Sequence, residues 1–286
     1  MPWFPDFVNA VELARQQSRA AEQADPVTQY LTALQQGDTQ ALETVWPGEL
    51  VVHDPRVGRV SGHRQLEAFV KRNQDWLAEH HARIETIAST RVDGRAVVEL
   101  LAHVSEGRDN IDWPVAVVAE SPGDRSVVFR TYCSQWPMDR QPHVRSPILQ
   151  PREIGLPTVV ARFLGALAAG DAEAAVSVFA PTGYFRESLP KLAAHHGTAE
   201  LRSFFTQQFS VGGGTALQPC SVTDDGVRCA VEFNCTRWGT HEVPPQAGIG
   251  VYERDADGLL AAVRVYDDIE SPVPLDSQGP RVPSPR

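Results

Sequence analysis

The chain has 286 residues, 42% of them hydrophobic, and a formal net charge of -10 at pH 7. That is enough apolar material for two cores of common domain size, and an acidic balance without a Lys/Arg cluster argues against a nucleic-acid partner. No basic segment precedes an apolar run at the start, Met1 to Asp6, and no apolar run reaches the roughly 18 residues of a membrane-spanning helix, so neither export nor a membrane is expected.

Asp6 to Ala24 carries Phe7, Val8, Val11 and Leu13 among polar residues and reads as a weakly amphipathic leading helix. Asp25-Pro26 is a helix start, and Leu31, Leu34, Leu42 and Val45 form a helical stripe broken at Gly37-Asp38, which predicts two short helices joined by a turn. Leu50 to His53 is strand-like, and Gly62 to His80 is helical with Leu66, Phe69, Val70 and Leu77 inward. Strands are then expected at Ile84 to Val92, Arg95 to Val104, Asp112 to Glu120 and Ser126 to Cys133, separated by turn signals such as Asp93-Gly94. Residues 139–157, with four prolines, read as a linker, and the proline-rich residues 271–286 as a disordered tail.

The chain then repeats itself. Tyr30-Leu-Thr-Ala-Leu-Gln-Gln-Gly-Asp38 returns as Phe163-Leu-Gly-Ala-Leu-Ala-Ala-Gly-Asp171, and the correspondence runs on through Asp54/Glu187, Gly62/Gly197, Glu99/Glu232 and Val128-Phe-Arg-Thr-Tyr132 against Ala262-Val-Arg-Val-Tyr266, with the offset held between 132 and 135. A repeat of that length is two complete domains, residues 1–138 and 158–270, rather than a solenoid of short units.

Helices followed by antiparallel strands predict an α+β cone, with helices lying in a curved sheet and a pocket at the open end. The run Tyr30-x-x-Ala-Leu-x-x-Gly-Asp38, Val-x-Asp54-Pro and Ser61-Gly-x-x-x-Leu-x-x-Phe69 resembles the NTF2-like superfamily, in its ketosteroid isomerase and SnoaL-like polyketide cyclase branch. The resemblance implies two NTF2-like cones in tandem. Ketosteroid isomerases tune carboxyl pKa values through their surroundings, and the family's helix tyrosine and V-x-D-P aspartate fall on Tyr30 and Asp54. The family's protonated second donor should lie near Trp113 to Ala116, where no acid stands. In the second copy the two positions are Phe163 and Glu187, so the copies have diverged.

On the strand Ala96 to His103, Val98, Leu100 and Ala102 share one face and Val97, Glu99, Leu101 and His103 the other. The family pattern puts the second face in the pocket, with Glu232, Asn234 and Thr236 as counterparts, and Glu99 or His103 is then an auxiliary acid to the base Asp54. Trp113, Tyr132, Glu187, Glu232 and Asn234 are then expected to contact substrate. The bland readings are a turn-capping Asp54, a filler Tyr30, and Glu99 and Glu232 on an outer face used for pairing.

Among Cys133, Cys220, Cys229 and Cys235 there is no C-x-x-C pair, and His80-His81 and His195-His196 lack a third ligand, so reduced cytosolic thiols and no metal are expected. The expected protein is an internal pseudo-dimer in the cytoplasm that runs cofactor-free proton-transfer chemistry on a small apolar, polyketide-like or terpenoid-like metabolite, as a cyclase, isomerase or epoxide hydrolase. The alternative is a non-catalytic ligand-binding or assembly module on the same fold.

Overall fold

The duplicated Leu-x-x-Gly-Asp phrase is a helix joint. Gly37 and Gly170 adopt φ of +71° and +70°, a left-handed conformation that ends a helix at little cost only for glycine. The aspartate that follows caps the next helix: Asp38 Oδ1 accepts the Ala41 N–H at 2.9 Å, and Asp171 Oδ1 accepts the Ala174 N–H at 2.9 Å.

A computed structural model of the chain describes residues 26–107, 109–123, 125–135, 143–188, 194–210 and 213–269, and the backbone of two short strands in the tail. The expected leading helix lies outside these residues. The first half contains α1 (Pro26–Gln36), α2 (Thr39–Val45), β1 (Leu50–Asp54), β2 (Gly58–Ser61), α3 (His63–Glu79), β3 (Arg83–Val92), β4 (Arg95–Glu106), β5 (Asp109–Gly123) and β6 (Ser126–Tyr132). The second half repeats that order with α4 (Thr158–Ala169), α5 (Ala172–Ser177), β7 (Phe179–Arg186), β8 (Ala194–His196), α6 (Gly197–Phe209), β9 (Thr215–Asp224), β10 (Arg228–Trp238), β11 (His241–Arg254) and β12 (Leu260–Tyr266). In the tail, Leu275–Asp276 and Gly279–Pro280 pair as a two-residue ladder, where no periodicity had pointed to a strand.

Each half forms one six-stranded sheet, ordered β2-β1-β6-β5-β4-β3 and β8-β7-β12-β11-β10-β9. The expected meander of four antiparallel strands is its central part. The first strand of each half adds beside the last in parallel, Val52 opposite Phe129 and Phe185 opposite Val263, which makes both sheets mixed. A parallel neighbour so far off in sequence leaves no hairpin signal to read.

The helices cover one face of each sheet. In the first half Tyr30, Leu34, Leu66 and Phe69 pack on Val98, Leu100, Val117 and Phe129, and in the second Phe163, Leu167, Leu201 and Phe205 pack on Val231, Tyr252 and Val263. The opposite faces are also buried. Val97, Ala116, Val118 and Tyr132 of one half form a single apolar cluster with Ala230, Ala247, Ile249, Val251 and Tyr266 of the other. Strands buried on both faces lose the clean alternation of apolar and polar residues that a half-exposed strand shows.

Candidate functional site

At the mouth of the first cone, β1 delivers Asp54 to a turn. Its Oδ1 accepts the backbone N–H groups of Arg56 and Val57, both at 2.9 Å, and among the described residues no hydrogen bond reaches Oδ2. One carboxylate oxygen is thus fixed by the turn. Tyr30 reaches the same region from α1: it is 2% exposed, stacks on Phe129 at 4.4 Å between centroids, and hydrogen-bonds the Thr131 side chain. Burial first, then the charge of Asp54, holds its hydroxyl well above the usual tyrosine range. The Cys133 thiol is pushed up by the same two causes in the same order, so Tyr30, Cys133 and Asp54 share one electrostatic environment.

Trp113 stands on the rim of this mouth. It packs edge to face against Trp76 of α3 and donates from Nε1 to the Ser134 carbonyl at 2.6 Å. Arg145, from the segment joining the halves, lies over the Tyr132 ring at 4.9 Å and donates to the carbonyls of Thr131 and His53.

The face expected to line the pocket points away from it. Val98 and Leu100 are the concave residues of β4, and Glu99, 1% exposed, lies on the convex face against the other half. There Glu99 accepts Nε of Arg264 at 2.6 Å, Nη2 of Arg264 at 2.8 Å and the Tyr266 hydroxyl at 2.6 Å. Its counterpart Glu232 accepts Nε of Arg130 at 2.6 Å, Nη2 of Arg130 at 2.9 Å and the Tyr132 hydroxyl at 2.8 Å. The two triads are reciprocal, each half supplying the acid for the other half's Arg-x-Tyr. Burial works against both guanidiniums, but the paired glutamates hold them above their ordinary value.

Glu99, Glu232 and Tyr132 therefore do not line the concave face, and Tyr132 instead borders a small cavity between the halves with Pro55, Cys133 and Arg145. His103 does not line that face either: at the far end of β4 it pairs with Asp112 across the strand at 2.7 Å and lies 3.5 Å from Glu85. Asn234 sits on the convex face and donates Nδ2 to the Leu149 carbonyl at 3.0 Å.

The second cone differs. Phe163 occupies the tyrosine position and meets Phe179, Phe185, Phe205 and Tyr252 at centroid distances of 5.5 to 6.4 Å. Glu187 remains at the strand end, bonded to Nε2 of His195 at 2.8 Å, with both side chains 25% exposed. Arg130 and Arg264 were not expected as partners, though the repeated Arg-x-Tyr beside a repeated Glu was their signal. Asp267 and Asp268, which follow β12, were not expected either. Among the described residues no group of three His, Cys, Asp or Glu side chains is arranged to hold a metal, and no helix is long and apolar enough to cross a membrane.

Helices packed in the concave face of a mixed sheet, with a carboxylate at the end of the first strand, define an NTF2-like α+β cone, present twice in tandem. The chain belongs to the SnoaL-like domain family, whose model matches residues 27–136 and again 160–263. Among solved structures it is similar to a candidate polyketide cyclase from Sinorhizobium meliloti, at 20% identity over 38% of this chain and 94% of that one, TM-score 0.33. An NTF2-like protein from Cytophaga hutchinsonii matches at 14% identity over 41% and 95% of the two chains, TM-score 0.32. A protein of ketosteroid isomerase-like fold from Catenulispora acidiphila, solved with trimethylamine, matches at 12% identity over 41% and 90%, TM-score 0.34. No curated protein matches the chain.

Proposed function

We propose that this chain is a proton-transfer enzyme of the SnoaL-like type, acting in the cytoplasm on a small, largely apolar, polyketide-like or terpenoid-like metabolite. Asp54 is its base and Tyr30 the donor to developing oxyanion charge. The observation that carries this reading is the Asp54 carboxylate, fixed through Oδ1 by its turn, with its charge felt by the Tyr30 hydroxyl. A positioned carboxylate is what general-base catalysis requires, and proton transfer between carbon and oxygen atoms needs no cofactor. Trp113 serves as an apolar wall. The two halves act as an internal pseudo-dimer, which the reciprocal triads support.

The test is a panel of cyclisable or isomerisable apolar ketones and epoxides assayed with the wild type and two variants. Asp54→Asn should lower kcat/KM by about 10²-fold or more, the scale for losing a positioned base. Tyr30→Phe should lower kcat with less effect on KM. Turnover unchanged in Asp54→Asn removes the assignment. A second reading, an assembly module without turnover, is favoured by the aromatic packing around Phe163 and by the face-to-face stack of Tyr30 on Phe129. Its outcome in the same assay is no turnover of any compound.

A further inference from the structure

The parallel ladder that joins β1 to β6 ends at His53 opposite Arg130, and one step further along the two strands stand Asp54 and Thr131. Asp54 caps the turn into β2, and the Thr131 side chain bonds the Tyr30 hydroxyl. At this end of the ladder one guanidinium takes up a carbonyl from each strand: Arg145 donates Nη2 to His53 at 2.8 Å and Nη1 to Thr131, with Cζ 4.9 Å from the centre of the Tyr132 ring. Donors held in one rigid plane fix the spacing of the two strands, which a flexible ammonium does not. Two acids, Asp267 and Asp268, border the same small cavity as Arg145. Both are engaged elsewhere: Asp268 with the Ser134 hydroxyl and the N–H groups of Gln135 and His143, and Asp267 with the Ser188 hydroxyl. Burial first, then the charges of Asp268 and Glu187, push the Asp267 carboxyl up to about 7, so at neutral pH it offers the guanidinium less than a full negative charge.

The backbone that carries Arg145 is held by the second half. The Arg145 carbonyl accepts the Ala247 N–H of β11 at 2.8 Å, and two residues earlier the His143 N–H goes to Asp268 at 2.7 Å. Further on, the Leu149 carbonyl accepts Asn234 Nδ2 at 3.0 Å and the Arg152 N–H reaches the Pro219 carbonyl at 3.1 Å. On the reading of Asp54 and Tyr30 given above, we propose that Arg145 is a positioning residue of the first cone: the second half holds residues 143–152 so that this one guanidinium clamps the strand ends bearing Asp54 and the Thr131 partner of Tyr30. Arg145 acts through the backbone of His53 and Thr131 and touches no reacting atom. The second half thereby takes part in first-half chemistry without a site of its own. In the second half the tyrosine ring is covered from within the sheet: Arg186, at the His53 position, lies 4.8 Å from the centre of the Tyr266 ring, and its buried Nε and Nη2 reach no acceptor. Among the described residues the clamp thus serves the half that pairs a tyrosine with the carboxylate.

Three variants of the full chain test this: Arg145→Met removes the donors, Arg145→Lys keeps the charge without the fork, and Asp268→Ala releases His143 from the second half. Backbone order parameters from nitrogen-15 NMR at Asp54, Arg56 and Val57 should fall from about 0.85 in the wild type to about 0.6 or below in Arg145→Met. Arg145→Lys should lie between, Asp268→Ala should move the same way, and Ala116 to Ala119 of β5 should not change. On any compound of the panel above that the wild type turns over, Arg145→Met should lower kcat about tenfold or more with KM within about twofold, and Arg145→Lys should recover part of the loss. Should Arg145→Met fail to fold, the other two variants carry the same comparison. Order parameters at the turn that match the wild type in every folded variant overturn the clamp and leave the Asp54 assignment standing. A raised KM with kcat kept overturns the positioning role. A turn that loosens in the variants of a wild type that turns over no compound overturns the catalytic reading of Asp54 and Tyr30, and leaves Arg145 a structural staple only.

Discussion

Removing Glu99 tests the junction between the halves most directly. Its carboxylate is 1% exposed and accepts two bonds from Arg264 and one from Tyr266, all between 2.6 and 2.8 Å. Truncating one member of a buried ion pair leaves the other charge uncompensated, at a cost of about 3–5 kcal/mol. Arg264 keeps part of its satisfaction, because Glu253 lies 3.0 Å from Nη2 and the Tyr184 hydroxyl 3.1 Å from Nη1. The expected loss for Glu99→Leu is therefore at the lower end, about 3 kcal/mol. For a chain of this size that is roughly a 6–12 °C fall in Tm. Arg264→Met should cost a similar amount. In the double variant no charge is stranded and the apolar side chains continue the surrounding cluster, so it should be less destabilised than either single variant. The residual cost comes from the Tyr266 hydroxyl, left without its acceptor, at about 1–3 kcal/mol. Urea unfolding of the four proteins gives the coupling energy. Single losses under about 1 kcal/mol, or a double loss equal to their sum, would refute the claim that the reciprocal triads hold the halves together.

The Asp267 carboxyl also sets a pH dependence of stability. Its folded value of about 7 lies above the ordinary 3.8, so between those limits the folded chain binds the extra proton; this contribution is complete below about pH 4 and is lost as pH rises through 7. Relative to wild type, Asp267→Asn should gain about 3 kcal/mol in urea-unfolding stability between pH 5 and pH 8, and a pH-independent difference would contradict the assignment. Phe163→Ala should cost about 3–5 kcal/mol, since the ring is 1% exposed within five mutually packed aromatics, and calorimetry reads it directly. Asp268 binds the Ser134 hydroxyl at 2.7 Å and the N–H groups of Gln135 and His143 at 2.8 and 2.7 Å. Asp268→Ala should therefore speed hydrogen exchange at those two amides by about tenfold or more, while amides in β10 stay protected.

The periodic features carried the fold. The doubled phrase announced two copies, the Gly-Asp joints marked helix ends, and the strands of the meander appeared where alternation and turn residues placed them, though β5 begins at Asp109 rather than Asp112. Short β2 and β8 were beyond reach, because three or four residues cannot establish a period. The failure on β4 has a different cause. Alternation assigns Val98 and Glu99 to opposite faces but does not say which face is concave, and when both are buried, hydrophobicity does not choose. A glutamate on such a strand looks like chemistry in a pocket, yet an arginine from the other half can satisfy it equally well. Asp267 and Asp268 were hidden for the opposite reason: an Asp-Asp pair after a strand reads as a solvated turn, whereas both are enclosed, Asp267 beside the Phe233 ring over Gly248 and Asp268 on Ser134, Gln135 and His143.

The tandem arrangement explains which positions stayed alike and which parted. In a dimer of identical chains, a change made on one side of the junction is made on both, so the interface and the pockets are locked into symmetry. Joining the halves removes that lock. The junction nevertheless keeps the same Glu, Arg and Tyr in both copies, because each triad draws on both halves and neither half can drop its part without stranding a buried charge in the other. The cone mouths carry no such mutual constraint. There Tyr30 is matched by Phe163, Asp54 by Glu187 and Cys133 by Asp267. At the junction the copies share the groups that bind them to each other, and functional differences are to be sought at those three pairs of positions.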